Sequence, residues 1–364
     1  VARTLVVTND FPPRIGGIEG FVAQVCRLLD DDVVVLTSRS PGDVAHDASL
    51  PYAVVRAGPV LLPTPAVRDR AVGLLGEHGA DRVVFGAAAP LGLLAPALRA
   101  AGARHLVALS HGHEVWWARL PVSRTLLRRI GDGVDHVGVI SAFTRGRLAP
   151  ALSPVARAAL VSLPPPVDLD VFRPEAGVVR PGRCVAAARL VRQKGLDTLL
   201  RAWAGLATPE HRELVVVGAG PDRRRLERLA ARLDVEVRFT GAVPHRDVPA
   251  LLASAQVVAL PVRTRLAGLH PEGLGLGFVE AAACGRPVLV GRSGGAPETV
   301  VDAGSGYVID PDDVATWTRR LAELLADPDR ADAMGAAGRA YVAPRFGTTG
   351  VGRRLRLALD LPLT

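Results

Sequence analysis

Through the first half of the chain, short runs of β-branched and leucine residues recur with enough polar and alanine-rich sequence between them for a helix. Leu5–Thr8, Val33–Thr37, Val54–Ala57, Val83–Phe85, His105–Leu109 and Val137–Ile140 are almost uninterruptedly apolar, the pattern of strands covered on both faces. Ile18–Leu29, Ala66–His78 and Leu91–Ala101 carry apolar residues at helical spacing. Strand and helix in alternation predict a doubly wound parallel sheet. The proline-rich Leu163-Pro164-Pro165-Pro166-Val167-Asp168 then interrupts the pattern, and Arg180-Pro181-Gly182-Arg183 follows. Beyond it the alternation resumes. Strands are predicted at Cys184–Ala188, Leu214–Val217, Val237–Phe239, Val257–Leu260, Val288–Val290 and Tyr307–Ile309. Helices are predicted at Leu196–Ala204, Arg223–Leu233, Val248–Ala253, Gly277–Cys284 and Val314–Leu325. Residues 331–361 read as helical, with a break around Pro344–Gly350. The expected fold is α/β, with two Rossmann-like domains whose parallel sheets face each other across a ligand cleft. The expected boundaries are 1–165, a linker 166–182, a second domain 183–342 and a helical tail 343–364 crossing back to the first.

Composition refines this picture. With 49% hydrophobic residues among 364, each half can bury its own core. No apolar run has the length and purity of a membrane span, and strand-like Thr4-Leu5-Val6-Val7 stands near the start. Neither a signal peptide nor a transmembrane helix is expected. Cys26, Cys184 and Cys284 are scattered, odd in number and set among small or apolar residues. They read as buried thiols in a reducing compartment, hence the cytoplasm. The formal charge is +8, but aromatics are only 4%, too few for the stacking platforms that nucleic-acid binding uses. Attraction to an anionic leaflet or anionic ligand remains open beside an ordinary solvated basic surface. Lys194 is the single lysine among 44 basic residues, which suggests a place where a compact ammonium matters.

Several motifs could carry chemistry. Thr8-Asn9-Asp10-Phe11-Pro12-Pro13-Arg14-Ile15-Gly16-Gly17 runs from a strand end into a Gly-Gly helix start, where backbone amides favour an anion. A Walker A loop is excluded because Lys194 is followed by Gly195. The dinucleotide fingerprint fails because Arg223 stands where a third glycine should follow Gly218 and Gly220. Arg189 and Lys194 leave the end of one predicted strand together, a forked cation and a point charge suited to a diphosphate. Glu272 and Glu280 flank Gly273-Leu274-Gly275-Leu276-Gly277, with amides open between two carboxylates that can accept hydrogen bonds from sugar or ribose hydroxyls. His111-Gly112-His113-Glu114 follows a strand but lacks zinc-protease spacing, leaving His111 as a substrate-binding or proton-moving candidate. Asp168-Leu169-Asp170 and Asp310-Pro311-Asp312 read as solvated turns, and no metal site is expected.

Taken as an ordered set, the Gly16-Gly17 loop, the Arg189/Lys194 pair and the Glu272/Glu280 pair resemble glycosyltransferase family 4, retaining enzymes of the GT-B fold. The likeness covers nearly the whole chain. Within the family it is similar to the branch that mannosylates inositol lipids, through Val7–Ile18, Phe85–Leu91, His111–Val115 and Ser293–Val300. The resemblance implies GDP-mannose as donor, a mannosylated inositol lipid at the inner membrane leaflet as acceptor, an α-1,6 product and no metal or other cofactor. It further implies that Arg189 and Lys194 hold the diphosphate, with Gly16 and Gly17 beside it. Glu280 would take the ribose, and Glu272, Gly273, Leu274 and Gly275 the sugar end. Asp10 and His111 would line the acceptor side, and the departing phosphate would itself take the acceptor's proton. The chain departs from the family pattern at His270-Pro271 before Glu272, at Pro166 in the linker, and at Leu266 and Leu269. An alternative therefore stays open, a family 4 enzyme using another nucleotide sugar and a non-lipid acceptor. Trp116-Trp117-Ala118-Arg119 and Arg124–Ile130 fit either a membrane-interface patch or an ordinary amphipathic helix.

Overall fold

The computed structural model describes residues 3–112, 114, 117–118, 120–207, 212–265 and 270–363. It divides into two compact units, Val1–Pro166 with Thr348–Thr364, and Val167–Gly347. His113, Val115, Trp116, Arg119, Leu266 and Leu269, named above, lie outside the described residues.

The first unit runs β1 (Arg3–Val7), α1 (Gly17–Leu28), β2 (Val33–Thr37), α2 (Asp43–Asp47), β3 (Ala53–Arg56), α3 (Pro65–Glu77), β4 (Ala80–Phe85) and α4 (Ala95–Ala100). It continues through β5 (His105–Ser110), α5 (Pro121–Gly133), β6 (His136–Val139), α6 (Ala142–Leu148), α7 (Pro154–Ala158) and β7 (Leu160–Ser162). Among the described residues these strands form one seven-stranded sheet in the order β3-β2-β1-β4-β5-β6-β7, with parallel pairing throughout. Leu5, Val6, Val7, Val83, Val84, Phe85, Leu106 and Val107 are all fully buried, as the uninterrupted apolar runs require of strands covered on both faces. Helix starts follow local capping chemistry. Thr64 accepts a hydrogen bond from Val67 N ahead of Pro65, Ser141 does the same for Thr144, and Ser153 for Ala156.

Two expectations need correction here. The predicted helix Leu91–Ala101 is a 3-10 turn, Leu91–Leu94, followed by α4. Pro96 has no N–H to continue an α-helical ladder from the preceding turn, so the helix restarts with the proline in its first turn. Strand β7 also extends the sheet beyond the last predicted strand, Val137–Ile140, through three residues too few to show a period.

The second unit runs β8 (Arg183–Ala187), α8 (Leu196–Ala204), β9 (Glu213–Val217), α9 (Arg223–Arg232), β10 (Val237–Gly241), α10 (Val248–Ala253) and β11 (Val257–Leu260). It ends through α11 (Leu276–Ala283), β12 (Val288–Gly291), β13 (Gly306–Ile309), α12 (Val314–Ala326) and α13 (Pro328–Phe346). Its parallel sheet has the order β10-β9-β8-β11-β12-β13. Trp317 of α12 is fully buried, and its indole N–H donates to Asp310 O at 2.9 Å. The predicted break at Pro344–Gly350 falls at Gly347: α13 continues through Pro344 to Phe346, and the extended Gly347 ends it.

The last helix, α14 (Thr348–Ala358), belongs to the first unit. Arg82, 9% exposed, binds the residues after it, donating to Leu359 O at 2.8 Å and Asp360 O at 3.0 Å. Arg356 reaches Asp30 at 2.6 Å. Cys26, Cys184 and Cys284 are free and buried, and burial pushes the thiols of Cys26 and Cys284 up to about 12. Among the described residues no helix is long and apolar enough to cross a membrane.

Candidate active site

In an open parallel sheet, ligands settle at the carboxyl ends of strands where the strand order reverses, because neighbouring loops there part in opposite directions. In the second unit that point lies between β8 and β11. The loop after β8 carries Arg189, which is exposed, and then a 3-10 turn, Arg192–Lys194. Gly195 closes the turn with φ +66 and starts α8, and a Cβ there would lie 1.8 Å from Pro261 O. Only glycine lets the β8 loop lie this close to the backbone that follows β11.

Lys194 Nζ donates to Glu272 Oε2 at 2.7 Å, with the two side chains 19% and 13% exposed. Glu272 is held through its main chain as well. Its N–H donates to Ser293 Oγ at 3.1 Å, and its carbonyl accepts from Gly295 N at 2.9 Å. Gly294, at φ +55, passes so close that a Cβ would lie 1.9 Å from Glu272 O. On the other side, Gln193 Nε2 donates to Pro271 O at 3.0 Å, and Gln193 O accepts from Arg263 N at 2.8 Å. Arg263 in turn donates to Asp197 Oδ1 at 3.0 Å and Thr198 Oγ1 at 2.8 Å. Loops from β8, β11 and β12 thus meet around one carboxylate and one ammonium.

Past Glu272, Leu274 is buried and half-buried Gly273 and Gly275 lead into α11. Glu280 lies in that helix, 13% exposed, with Oε1 3.6 Å from His245 Nε2. The His245 ring meets Phe172 edge-on at 5.8 Å between centroids. The structure therefore joins Lys194 to Glu272 directly and Glu280 to a histidine. His245, Gln193 and the contacts of Ser293 could not be foreseen, since each bond spans at least 21 positions of sequence.

In the first unit the reversal lies between β1 and β4. Thr8 Oγ1 accepts from Asp10 N at 3.0 Å, fixing the turn that presents half-buried Asp10. His111 follows β5, with Nε2 2.5 Å from Gly86 O. A carbonyl only accepts, so Nε2 carries the proton in this contact. Phe21 packs edge-on against the same ring at 5.5 Å. Glu114 is wholly buried beneath it, accepting from Ser110 Oγ at 3.0 Å and from His111 N at 3.1 Å. At the head of α1 a Cβ on Gly16 would lie 2.0 Å from Glu19 Oε2, so the chain's own carboxylate folds against that glycine. A Cβ on Gly17 would meet nothing within 4 Å.

Two further charged features of the chain are tied into the fold itself. The Asp-x-Asp strings are turns: Asp168 Oδ1 accepts from Asp170 N at 3.0 Å, and Asp310 Oδ1 from Asp312 N at 2.9 Å. A surface hollow lined by Arg39, Asp43, Asp47 and Arg56 lies beside β3, but Arg56 binds Asp47 at 2.8 Å and the carbonyls of Ser38 and Pro12.

Comparison with known proteins identifies the family. Residues 15–171 match the family described as Glycosyltransferase Family 4, and residues 179–341 match Glycosyl transferases group 1. The chain is 46% identical to the GDP-mannose-dependent alpha-(1-6)-phosphatidylinositol monomannoside mannosyltransferase of Mycolicibacterium smegmatis, over 96% of each chain. It is 41% identical to the GDP-mannose-dependent monoacylated alpha-(1-6)-phosphatidylinositol monomannoside mannosyltransferase of Corynebacterium glutamicum, over 97% of this chain and 96% of that one. Among solved structures, Anabaena HepE in complex with UDP superposes with a TM-score of 0.78 at 20% identity, covering 98% of this chain and 99% of that one, which supports the fold. With both halves matched in order and near-complete relatives at this identity, the chain belongs to glycosyltransferase family 4 and is a glycosyltransferase.

Proposed function

We propose that this glycosyltransferase moves mannose from GDP-mannose to phosphatidylinositol monomannoside in α-1,6 linkage, with retention at the anomeric carbon and no metal ion. The substrates are those in the names of the relatives above. The observation that carries the chemical reading is the Lys194–Glu272 pair at the reversal between β8 and β11. An ammonium has three N–H bonds, so Lys194 can keep Glu272 and still hold a phosphate oxygen. Glu272 likewise keeps Oε1 for a sugar hydroxyl while Oε2 faces the lysine. The pair sets the diphosphate cation and the sugar carboxylate at one fixed spacing. Arg189, exposed on the same loop, adds a forked cation, and the two charges stabilise the departing GDP.

In this reading Glu280 takes the ribose hydroxyls, and the backbone of Gly273, Leu274 and Gly275 borders the sugar. Asp10 and His111 position the acceptor, whose proton passes to the departing phosphate as the new bond forms on the same face. Gly16 and Gly17 offer the amides at the head of α1 to a phosphate. The open space at Gly17 supports this, since nothing in the fold itself requires glycine there. The protein is further proposed to act on the cytoplasmic side as a peripheral membrane protein. Helix α5 buries Leu127 and Ile130 and exposes Arg124, Arg128 and Arg129, next to Leu120 and Val122 at 62% and 76% exposure.

The test presents GDP-mannose, UDP-glucose and UDP-N-acetylglucosamine to purified protein in EDTA, with and without phosphatidylinositol monomannoside. Transfer from GDP-mannose to the lipid alone, undiminished by EDTA, is the expected result. Use of a UDP-sugar with the lipid inert would replace the substrates while leaving a glycosyltransferase. Flotation with anionic but not neutral vesicles is expected of the membrane reading, and equal recovery with both would remove it.

A further inference from the structure

We propose that Ser293 is a positioning residue for Glu272, holding the carboxylate where the transferred sugar must find it. Ser293 stands just beyond β12, only 2% exposed, and its hydroxyl meets the main chain of Glu272. Its Oγ accepts the Glu272 N–H at 3.1 Å and lies 2.9 Å from Thr264 Oγ1, on the segment that follows β11. The two residues after Ser293 complete the grip, with Gly295 N donating to Glu272 O at 2.9 Å and Gly294 packed against that carbonyl. Glu272 is thereby fixed at both ends of its peptide by the β12 loop, while its side chain is fixed by Lys194 from the β8 loop. Lys194 has a separate support, because its turn ends at Gly195 against Pro261 and does not involve Ser293. Loss of the Ser293 hydroxyl therefore loosens the carboxylate and leaves the phosphate-facing cation in place.

The inference rests on Glu272 reading the sugar and Lys194 the diphosphate, and its test separates the two. GDP carries the diphosphate without the sugar. In Ser293→Ala, kcat/KM for GDP-mannose is expected to fall about tenfold, as an unsatisfied buried N–H and a displaced carboxylate imply. The Kd for GDP, read by calorimetry, is expected to stay at the wild-type value. Unchanged kinetics with GDP-mannose would overturn the proposal, and so would an equal loss of GDP affinity, which would mark a general loosening of the unit. Should Ser293→Ala fail to fold, Thr264→Val at the exposed end of the hydroxyl pair carries the same test. It is expected to show a fall of about threefold with GDP binding intact, and no fall overturns the proposal. Wild-type protein that binds no GDP would instead sink the donor reading beneath it.

Discussion

Gly17 and Gly20 lie three residues apart in α1, both are exposed, and a Cβ at either would meet no atom within 4 Å. Replacing either by alanine adds no clash and removes backbone freedom from the unfolded chain, a gain of about 0.4–1 kcal/mol. For a unit of this size that corresponds to a rise in Tm of about 1–4 °C. Stability should therefore respond alike to the two substitutions. Activity should not. Gly17 is the first residue of the helix, where N–H groups have no partner within the helix and the dipole favours an anion, whereas Gly20 N already donates to Gly16 O at 3.1 Å. A methyl group on Gly17 would hold a phosphate away from those amides by a fraction of an ångström to about 1 Å, a displacement that costs ten- to a hundredfold in rate. The assay is mannosyl transfer from GDP-mannose, with thermal melts in parallel. Gly17→Ala is expected to be more stable and at least about tenfold slower, and Gly20→Ala more stable with wild-type activity. Gly17→Ala at wild-type activity would refute the reasoning, because the open space would then serve no ligand. Equal losses in both would point to stiffening of α1 instead of approach by a substrate.

Lys194→Met leaves Glu272, 13% exposed, without its counter-ion, so a loss of about 1–2 kcal/mol in urea melts should accompany a kcat lowered at least about a hundredfold. Glu272→Gln removes the sugar carboxylate with a smaller stability cost, and a double-mutant cycle reads the coupling between them. Arg225 holds the Asp222 carboxyl below the usual carboxylate range through two hydrogen bonds of 2.6 Å, against the opposing effect of burial and with help from Arg192 and Arg265. Because the folded value lies below the unfolded one, this stability is complete above the unfolded value of about 4 and is lost as pH falls through the folded value. Asp222→Asn should therefore lower stability at pH 7 and flatten its decline under acid, and an unchanged acid limb would contradict this. Arg82→Met should cost about 2 kcal/mol and speed amide exchange through α14, since it withdraws a charged donor from Leu359 O and Asp360 O; unaltered exchange there would show that other contacts suffice.

Much of the fold was legible because buried parallel strands leave a mark that needs no partner. Val33–Thr37 and Val257–Leu260 were read to the residue, and most other strand ends to within one or two. What failed was local chemistry weaker than its context. Pro96 divided an apparently continuous helix, and α6, α7 and β7 were too short to show a period. Within the site, Lys194 and Glu272 were each legible, the first by its rarity and the second by its glycine-rich surroundings. Their direct pairing was not, because it joins positions 78 apart in the sequence and depends on everything between them folding correctly. The role of Gly218 was hidden for the same reason. It fails as part of a dinucleotide fingerprint, and its glycine answers to a backbone contact, since a Cβ would lie 1.9 Å from Ala188 O.

The assignment of α14 to the first unit has a consequence for synthesis. The second unit, Val167–Gly347, is one continuous stretch and needs no residue after Gly347 to reach its final form. The first unit, though made first, must wait with Arg82 and the face of α1 uncovered until the segment after Thr348 emerges. A ribosome stalled shortly before that segment would release a chain whose later unit is whole and whose earlier one is not.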